Sequence, residues 1–380
     1  MRKWVKTTLL FLPTLLLLSA CWDATNIQDV NYLAALGVDY DNGKYTVYVQ
    51  LLDHSSVAKE EADKPTQPVP VWVGKASGDT PSTAVNNLYN TAQQKISFSH
   101  ISSLLVSVRA LQHDLEPILD SLGRFREIRY TPWLFATKEK IEDVFAKLPF
   151  FYLSPLISVM HQPQETYGQL SITPPLRYHR FISEYREPGS TVLLPLLSLN
   201  RSQWRESMER KALIGVGGVA ALHDRKYKGT FSEKQLRGTR WITGKTVRSP
   251  LTFRADGKGQ ATVSLGDPSV TVKSHIKDGI PRFHVTITLD GNLVESFDST
   301  PVHLIRRHAE QEVARQVRQT YLHGLKRETD LLQLEEYLYR YHNKQWKQLD
   351  AKKFPLTPES LASVHVKVNL IHTGKYKEKN

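Results

Sequence analysis

The chain has 380 residues, a formal net charge of +12 at pH 7 and a single cysteine. A chain of this length can bury two or three hydrophobic cores, so we expect several domains. One cysteine excludes an internal disulfide framework and a cysteine-based zinc site.

The first twenty residues have the pattern of a lipoprotein signal peptide. Three basic residues precede the apolar run 9–18, and Leu-Ser-Ala then leads into Cys21. The run is shorter than the roughly 20 residues that span a hydrocarbon core, and Pro13 interrupts it. We therefore predict removal of the signal peptide 1–20, with acylation of Cys21 by palmitate or similar chains as the tether to the lipid bilayer. An ordinary cleaved signal and an uncleaved anchor are the alternatives.

Residues 21–200 are predicted to form an N-terminal α/β region that starts with a β-hairpin. The apolar stretch 33–38 and the alternating stretch 45–51 flank Asp41-Asn42-Gly43, a turn sequence that tolerates positive φ. The polar, proline-rich stretch 53–70 that follows is typical of a long exposed loop.

Strands and helices of ordinary length then alternate between residues 71 and 150. A short strand is predicted at 71–73, and Thr80-Pro81 has the pattern of a helix N-cap followed by a first-turn proline. Apolar residues at helical spacing predict further helices, and short apolar runs between them predict strands. This alternation favours sheets covered by helices, and the region has room for two sheet-centred domains.

A change of composition indicates a domain boundary near residue 200. The stretch 149–210 is rich in prolines and aromatic residues and ends in the polar run 200–211. Polar segments of this kind commonly separate domains. We therefore predict that a C-terminal α+β domain occupies residues 201–380.

The C-terminal domain is predicted to contain a largely antiparallel sheet. Two apolar stretches flank His223-Asp224-Arg225-Lys226, which predicts a hairpin, and Ser232 with Gln235 fits a capping box for a short helix. Several strands follow, with Asp290-Gly291 as a predicted turn. Their connections are too short for crossover helices, which favours antiparallel pairing.

A long helix is predicted at 301–326, where apolar residues recur every four positions, and a final strand is predicted at 364–370. The predicted fold class is therefore α+β. We expect several domains, each with a mainly antiparallel or mixed sheet flanked by helices.

Motifs for catalysis or cofactor binding are weak in this sequence. The stretch 215–220 has the spacing G-x-G-x-x-A of a dinucleotide site, but His223-Asp224-Arg225 interrupts it where a helix should begin. A strand whose glycines allow close packing is the better interpretation. His303 and His308 are roughly 140° apart around a helix, so they do not suit one metal ion. We expect no metal site and no cofactor.

The basic excess does not predict nucleic-acid binding. The basic residues at 201–211 and at 225–228 are separated by acidic residues and are not paired with the aromatic strand motif of an RNA-binding sheet. Removal of the three basic residues of the signal peptide lowers the net charge from +12 to +9. A weak attraction to anionic lipid headgroups is the simplest interpretation of this positive net charge.

Several motifs resemble one known family. Cys21-Trp22-Asp23 follows the signal directly, and Ala34-Ala35-Leu36-Gly37-Val38-Asp39 comes soon after. In the second half, the spacing E-x-x-G-x-x-W-x-x-G-K is matched by Gln235, Gly238, Trp241, Gly244 and Lys245, and the strands at 282–295 are also similar. Together these features resemble the Ger(x)C lipoproteins, the C subunits of bacterial spore germinant receptors.

The chain departs from the Ger(x)C pattern at two places. Gln235 stands where glutamate is commoner. The family stretch D-[IV]-[FL]-G-[FL]-G corresponds here to Asp330-Leu331-Leu332-Gln333-Leu334-Glu335, which lacks both glycines. These departures leave the expected fold intact but put in doubt any contact made by that loop.

The resemblance implies a non-enzymatic subunit with three sheet-centred domains. Such a subunit is anchored extracytoplasmically, on the outer face of the spore inner membrane, beside the integral membrane A and B subunits of a nutrient receptor. An extracytoplasmic solute-binding lipoprotein is the main alternative, and it would need a deep cleft between two similar lobes. A hydrolase would need clustered acids, a metal site or an activated serine, none of which the sequence shows.

Overall fold

The computed structural model describes two β-sheets with helices packed against them, in residues 30–52, 67–254, 260–296, 300–349 and 354–372. Cys21 and the signal segment lie outside these ranges, so cleavage and acylation stay predictions. The mixed α+β fold class is confirmed.

The larger sheet has nine strands. They are β1 (Val30–Asp41), β2 (Lys44–Leu52), β3 (Val71–Gly78), β4 (Lys95–Ser97), β5 (Ser103–Ser107), β6 (Trp133–Thr137), β7 (Thr191–Glu206), β8 (Glu209–His223) and β9 (Lys226–Ser232). Their order is β3-β2-β1-β5-β6-β7-β8-β9, with β4 beside β1. The central strands β1, β5, β6 and β7 run parallel, and antiparallel strands flank them on both sides.

In the described residues, six α-helices accompany the larger sheet. They are α1 (Pro81–Leu88), α2 (Val108–His113), α3 (Glu116–Arg124), α4 (Ile141–Phe145), α5 (Pro163–Gln169) and α6 (Tyr178–Arg186). The predicted start of α1 is confirmed, because the Thr80 side chain accepts a hydrogen bond from the Thr83 N–H and Pro81 is the first helical residue. The proline-rich stretch gave no helical signal, yet it contains α5 and α6.

Helices cover both faces of the larger sheet. Along β5, Leu104 packs in the same cluster as Ile118 and Phe181, whereas its neighbour Leu105 packs with Phe145. Successive side chains of a strand point to opposite faces, so α3 and α6 cover one face and α4 covers the other. Burial on both faces explains why the central strands are continuous apolar runs.

The smaller sheet has four strands, in the order in which they follow along the chain. They are β10 (Ser249–Arg254), β11 (Gln260–Lys277), β12 (Ile280–Ser296) and β13 (Leu361–His372). The helices of this half are α7 (Thr239–Ile242), α8 (Val302–Leu325), α9 (Leu334–Tyr341) and α10 (Asn343–Trp346). Only the β12–β13 pair is parallel, because a long helical connection joins those two strands.

The predicted turn at Asp290-Gly291 is wrong. Strand β12 continues through this dipeptide, with Asp290 opposite Gly266 and Gly291 opposite Leu265. Its partner β11 is also one long strand, with an irregularity after Gly266. An Asp-Gly pair favours a turn locally, but here the long partner strand keeps the backbone extended.

The polar run 200–211, our predicted domain boundary, forms the outer end of the β7–β8 hairpin. Both strands belong to the larger sheet, and the chain passes to the smaller sheet only after Ser232. The division of the chain into separate domains stays a prediction.

Candidate functional site

The glycine-rich stretch 215–220 lies within β8, not at the start of a helix. Gly218 has a φ of +149°, and an added Cβ would lie 2.1 Å from the carbonyl oxygen of Phe231 on β9. The interpretation as a closely packed strand is therefore confirmed, and the dinucleotide motif is accidental.

The histidines do not form a metal centre in the ranges that the structure describes. His303 and His308 both lie on α8, and no group of three or more His, Cys, Asp or Glu side chains is placed to hold an ion there. His161 is buried, and its Nε2 lies 3.0 Å from Gln50 Oε1. Burial lowers the pKa of His161 to about 3, so this residue is a neutral member of the core.

A cleft of about 240 Å³ lies where the larger sheet meets the helices of the smaller one. Glu184 of α6 and Val219 of β8 line one side, while Ile242 of α7, Lys245 and Glu336 of α9 line the other. Its volume is below the roughly 300–1,000 Å³ of drug-sized ligand sites. We call this interface between the larger sheet and the helices of the smaller one the joint.

Ion pairs close one end of this joint. Arg340 of α9 donates two 2.6 Å hydrogen bonds to the Glu187 carboxylate at the end of α6, and its guanidinium lies 2.7 Å from Glu336. The hydrogen bonds with Glu187 raise the pKa of Arg340. Burial raises the pKa of Glu336, and the charge of Arg340 opposes that shift.

A buried polar cluster lies beneath the joint. His223, at the end of β8, has its Nδ1 2.9 Å from Thr191 Oγ1 and its Nε2 3.4 Å from Glu335 Oε2. Asp330 accepts hydrogen bonds from the N–H groups of Leu332, at 3.1 Å, and Glu335, at 2.7 Å. The cluster thereby holds the start of α9 against the edge of the larger sheet.

The charges of this cluster are strongly coupled. Burial raises the pKa of Asp330 to about 7, although the two N–H donors favour its charged form. Burial also works against protonation of His223, but the nearby carboxylates, Glu335 first, outweigh it and raise the pKa of His223. The raised pKa values of Asp330 and His223 both favour the protonated forms of these side chains.

The segment 235–245 packs against α8. Trp241 is fully buried, and its Nε1–H donates to Gln316 Oε1 at 2.9 Å. The Thr320 hydroxyl donates to the carbonyl of Gln235 and accepts the N–H of Gly238. The predicted capping box of Ser232 with Gln235 is confirmed, although the helix it starts is a short 3₁₀ turn. These residues have structural roles.

Gly238→Ala is expected to destabilise the protein by about 1–3 kcal/mol, because overpacking a tight contact forces the backbone to shift. An added Cβ would lie 2.6 Å from both the carbonyl oxygen of Gln316 and the Cα of Val317. Gly244→Ala is the matched control, since no atom lies within 4 Å of its added Cβ. Thermal unfolding of both variants measures the difference, and equal melting temperatures would contradict the close contact.

Two protein-family models match the chain in succession. The model described as "Spore germination protein N-terminal domain" matches residues 23–199, and the model described as "Spore germination B3/ GerAC like, C-terminal" matches residues 217–374. The chain belongs to the Ger(x)C family of spore germination proteins. The family prediction from the sequence motifs is thus confirmed.

Curated relatives of this Ger(x)C protein come from Bacillus subtilis (strain 168). Spore germination protein KC is 22% identical, with 96% of this chain and 95% of the relative covered. The putative spore germination protein YfkR is 22% identical, with 78% and 76% covered, and spore germination protein A3 is 21% identical, with 77% and 75% covered. All three alignments span most of both chains.

The crystal structure of the GerBC protein has the same fold as this Ger(x)C chain. The two superpose with a TM-score of 0.55 at 16% identity, covering 88% of this chain and 96% of the other. Across the ranges that the structure describes, none of the helices combines the length and the apolar character needed to cross a bilayer.

Hydrogen bonds to Thr191 explain how this Ger(x)C chain tolerates Gln333 in place of a glycine of the family pattern. Gln333 stands where the family pattern has glycine, and its φ is +59°, a left-handed conformation that glycine adopts at little cost. Its side-chain amide accepts from the Thr191 N–H at 3.0 Å and donates to the Thr191 carbonyl. These two hydrogen bonds offset the strain of a non-glycine residue at this position.

The structure lends no weight to a solute-binding protein. That alternative needs a cleft between two similar lobes, but the parts that meet at the cleft are a nine-stranded and a four-stranded sheet. Next to the cleft, Arg340 pairs with Glu187 across the joint. This geometry fixes the position of one part on the other.

Proposed function

We propose that this Ger(x)C protein is the lipid-anchored C subunit of a nutrient germinant receptor. In this proposal, Cys21 carries acyl chains, and the body lies on the outer face of the spore inner membrane. There it docks on the integral membrane A and B subunits and is required for the response to nutrients. The body itself carries out no reaction and holds no cofactor.

One observation carries this proposal. The match to the spore germination N-terminal domain begins at residue 23, two residues after Cys21, so the signal-like segment and the family domain adjoin without a gap. A lipoprotein whose new N-terminus is Cys21 would start with the family domain. Two or three acyl chains give stable anchoring, whereas a single chain binds a bilayer only marginally.

Cys21→Ala is expected to release the protein from membranes washed with high salt and to abolish or strongly delay nutrient-triggered germination, because the single cysteine available for acylation is lost. Membrane fractionation of sporulating cells and the loss of optical density of spores given nutrients are the two measurements. Trp22→Ala is the matched control, since it alters the neighbouring residue and keeps the thiol. A Cys21→Ala protein that stays in the membrane and supports a full response would contradict the tether.

Docking needs its own measurement. The native protein, solubilised in mild detergent, is expected to co-purify with two multi-span membrane proteins. The Cys21→Ala protein is expected to lose most of this association, because the tether raises the local concentration of the two partners. Purification of the native protein without either partner would contradict the role of a receptor subunit.

A further inference from the structure

Five large side chains, four aromatic and one methionine, are exposed on two structural elements of the larger sheet's part of the chain. Two structural elements supply them, the 3₁₀ turn after α4 and the outer end of the β7–β8 hairpin. We name this group the aromatic tip, and its members are Phe150, Phe151, Tyr152, Trp204 and Met208. Met208 is 88% exposed, Phe151 80% and Trp204 50%. Exposed apolar groups of this kind mark sites of contact with proteins or membranes.

The aromatic tip is a built surface. The rings of Phe150 and Trp204 meet edge to face with their centroids 4.8 Å apart, which joins the two elements. Phe151 and Tyr152 both have φ near +60°, a conformation that bulky residues rarely adopt. Strained backbone of this type is commonly found at binding sites.

Two arginines at the outer end of the same hairpin have no acidic partner in the described part of the chain, and they lie on the hairpin face opposite Trp204, because successive residues of a strand alternate between its faces. Arg205 and Arg210 lie directly opposite each other on β7 and β8, so their side chains share one face of the hairpin. Like charges in that position repel each other. By contrast, Lys211 is paired with Glu206 at 2.9 Å and Arg201 with Glu139 at 3.2 Å. The opposed arginines therefore suit an anion from outside the chain.

We propose that the aromatic tip and the Arg205–Arg210 pair make a second contact with the membrane, by binding anionic lipid headgroups. Aromatic side chains favour the headgroup level of a bilayer, and arginines near its surface are attracted to anionic lipids. This inference rests on the proposed tether. Eight residues lie between Cys21 and Val30, which limits the distance between those two residues to about 30 Å, so the body stays close to lipid.

The topology gives this second contact a consequence for orientation. Strands β1 and β7 run in the same direction in the parallel centre of the sheet. The first residue of β1 and the last residue of β7 therefore lie at opposite ends of the strands. A single tether leaves the body free to rotate. With the tether at one end of the strands and the aromatic tip at the other, the sheet lies along the bilayer. One side of the body then faces the membrane partners.

The test uses the mature chain 21–380 with Cys21→Ser, which removes acylation and leaves the tip as the only expected membrane contact. We expect it to sediment with vesicles of phosphatidylcholine and phosphatidylglycerol, and much less with phosphatidylcholine alone or at high salt. The variants Phe151→Ser/Trp204→Ser/Met208→Ser and Arg205→Gln/Arg210→Gln are each expected to bind the anionic vesicles at least tenfold more weakly.

The chain offers matched controls for both variants. Trp72→Ser removes a tryptophan that is 72% exposed on β3, and Arg306→Gln/Arg307→Gln removes two exposed arginines of α8. Both controls are expected to bind vesicles like the parent, and unchanged thermal unfolding of each variant shows that it is folded.

Three outcomes would overturn the proposal. One is no binding of the parent to anionic vesicles, and another is equal binding by tip variants and controls. In the third, the tip variants bind vesicles normally, but the same variants with Cys21 restored no longer co-purify with the membrane subunits. That result would assign the tip to a protein partner. Failure of the tether itself would instead appear as Cys21→Ala protein that stays in the membrane even when the tip is also mutated.

Discussion

Trp241→Ala is expected to lower the free energy of unfolding by about 3–5 kcal/mol, the range for truncating a large buried aromatic side chain. Trp241 is fully buried against α8, so its removal leaves a cavity in the core of the smaller sheet. It also leaves Gln316 Oε1 without the indole donor, at a site where Arg240 is only a distant donor at 3.4 Å. Urea unfolding followed by circular dichroism measures the loss.

Trp72→Ala is the matched control for this variant. Trp72 is 72% exposed on β3, and surface substitutions usually change stability by less than about 0.5 kcal/mol. A similar loss in both variants would show that Trp241 does not join segment 235–245 to α8. A larger loss at Trp241 alone would show that the tryptophan of the E-x-x-G-x-x-W-x-x-G-K pattern has a structural role, in holding segment 235–245 against α8.

The second large effect is a pH dependence of stability centred on Asp330. Burial raises the pKa of Asp330 from 3.8 to about 7 in the folded chain. Between these pH values the folded chain keeps a proton that the unfolded chain has lost. The free energy of unfolding therefore falls as the pH rises from about 4 to 7, with a slope of up to about 1.4 kcal/mol per pH unit.

His223 acts in the same direction at higher pH. Burial disfavours its charged form, but Glu335, Asp224 and Asp330 together raise its pKa above 6.5 in the folded chain. The stability it contributes is fully present below pH 6.5 and is lost as the pH rises through the raised value. The cluster as a whole therefore favours the folded state most at mildly acidic pH.

Asp330→Asn is expected to flatten the fall in stability between pH 4 and pH 7, because an amide does not titrate in that range. Urea unfolding at several pH values, for the parent and the variant, gives the two slopes. Asp79→Asn is the control, since it makes the same chemical change at an exposed site. Parallel slopes for the parent and Asp330→Asn would contradict a protonated Asp330.

Elements with a local physical cause were predictable from the sequence. Thr80 caps α1 and Pro81 starts it, because both roles depend only on adjacent residues. The four-residue repeat of α8 was also found, since Ile305, Ala309 and Val313 all face the core. The turn predicted at Asp290-Gly291 failed for the opposite reason, because the partner strand β11 overrides the local preference.

The polar cluster at the joint had no signal in the sequence. Gln333 and Thr191 are 142 residues apart, and nothing in either neighbourhood indicates that they meet. The same holds for Arg340 and Glu187, which are 153 residues apart. The missing glycine at Gln333 was visible as a departure from the family pattern, but its compensation by side-chain hydrogen bonds was not.

Residue patterns were enough to find the signal-like start with Cys21, the family, the α+β class and the helices with local causes. Which strands share a sheet was set by the packing of the folded chain, and this packing placed β8 and β9 in the larger sheet. It also placed Arg205 opposite Arg210 and brought Phe150 against Trp204. The physical reason is that periodicity shows which face of an element is apolar, whereas the partner of that face is set by the packing of the whole chain.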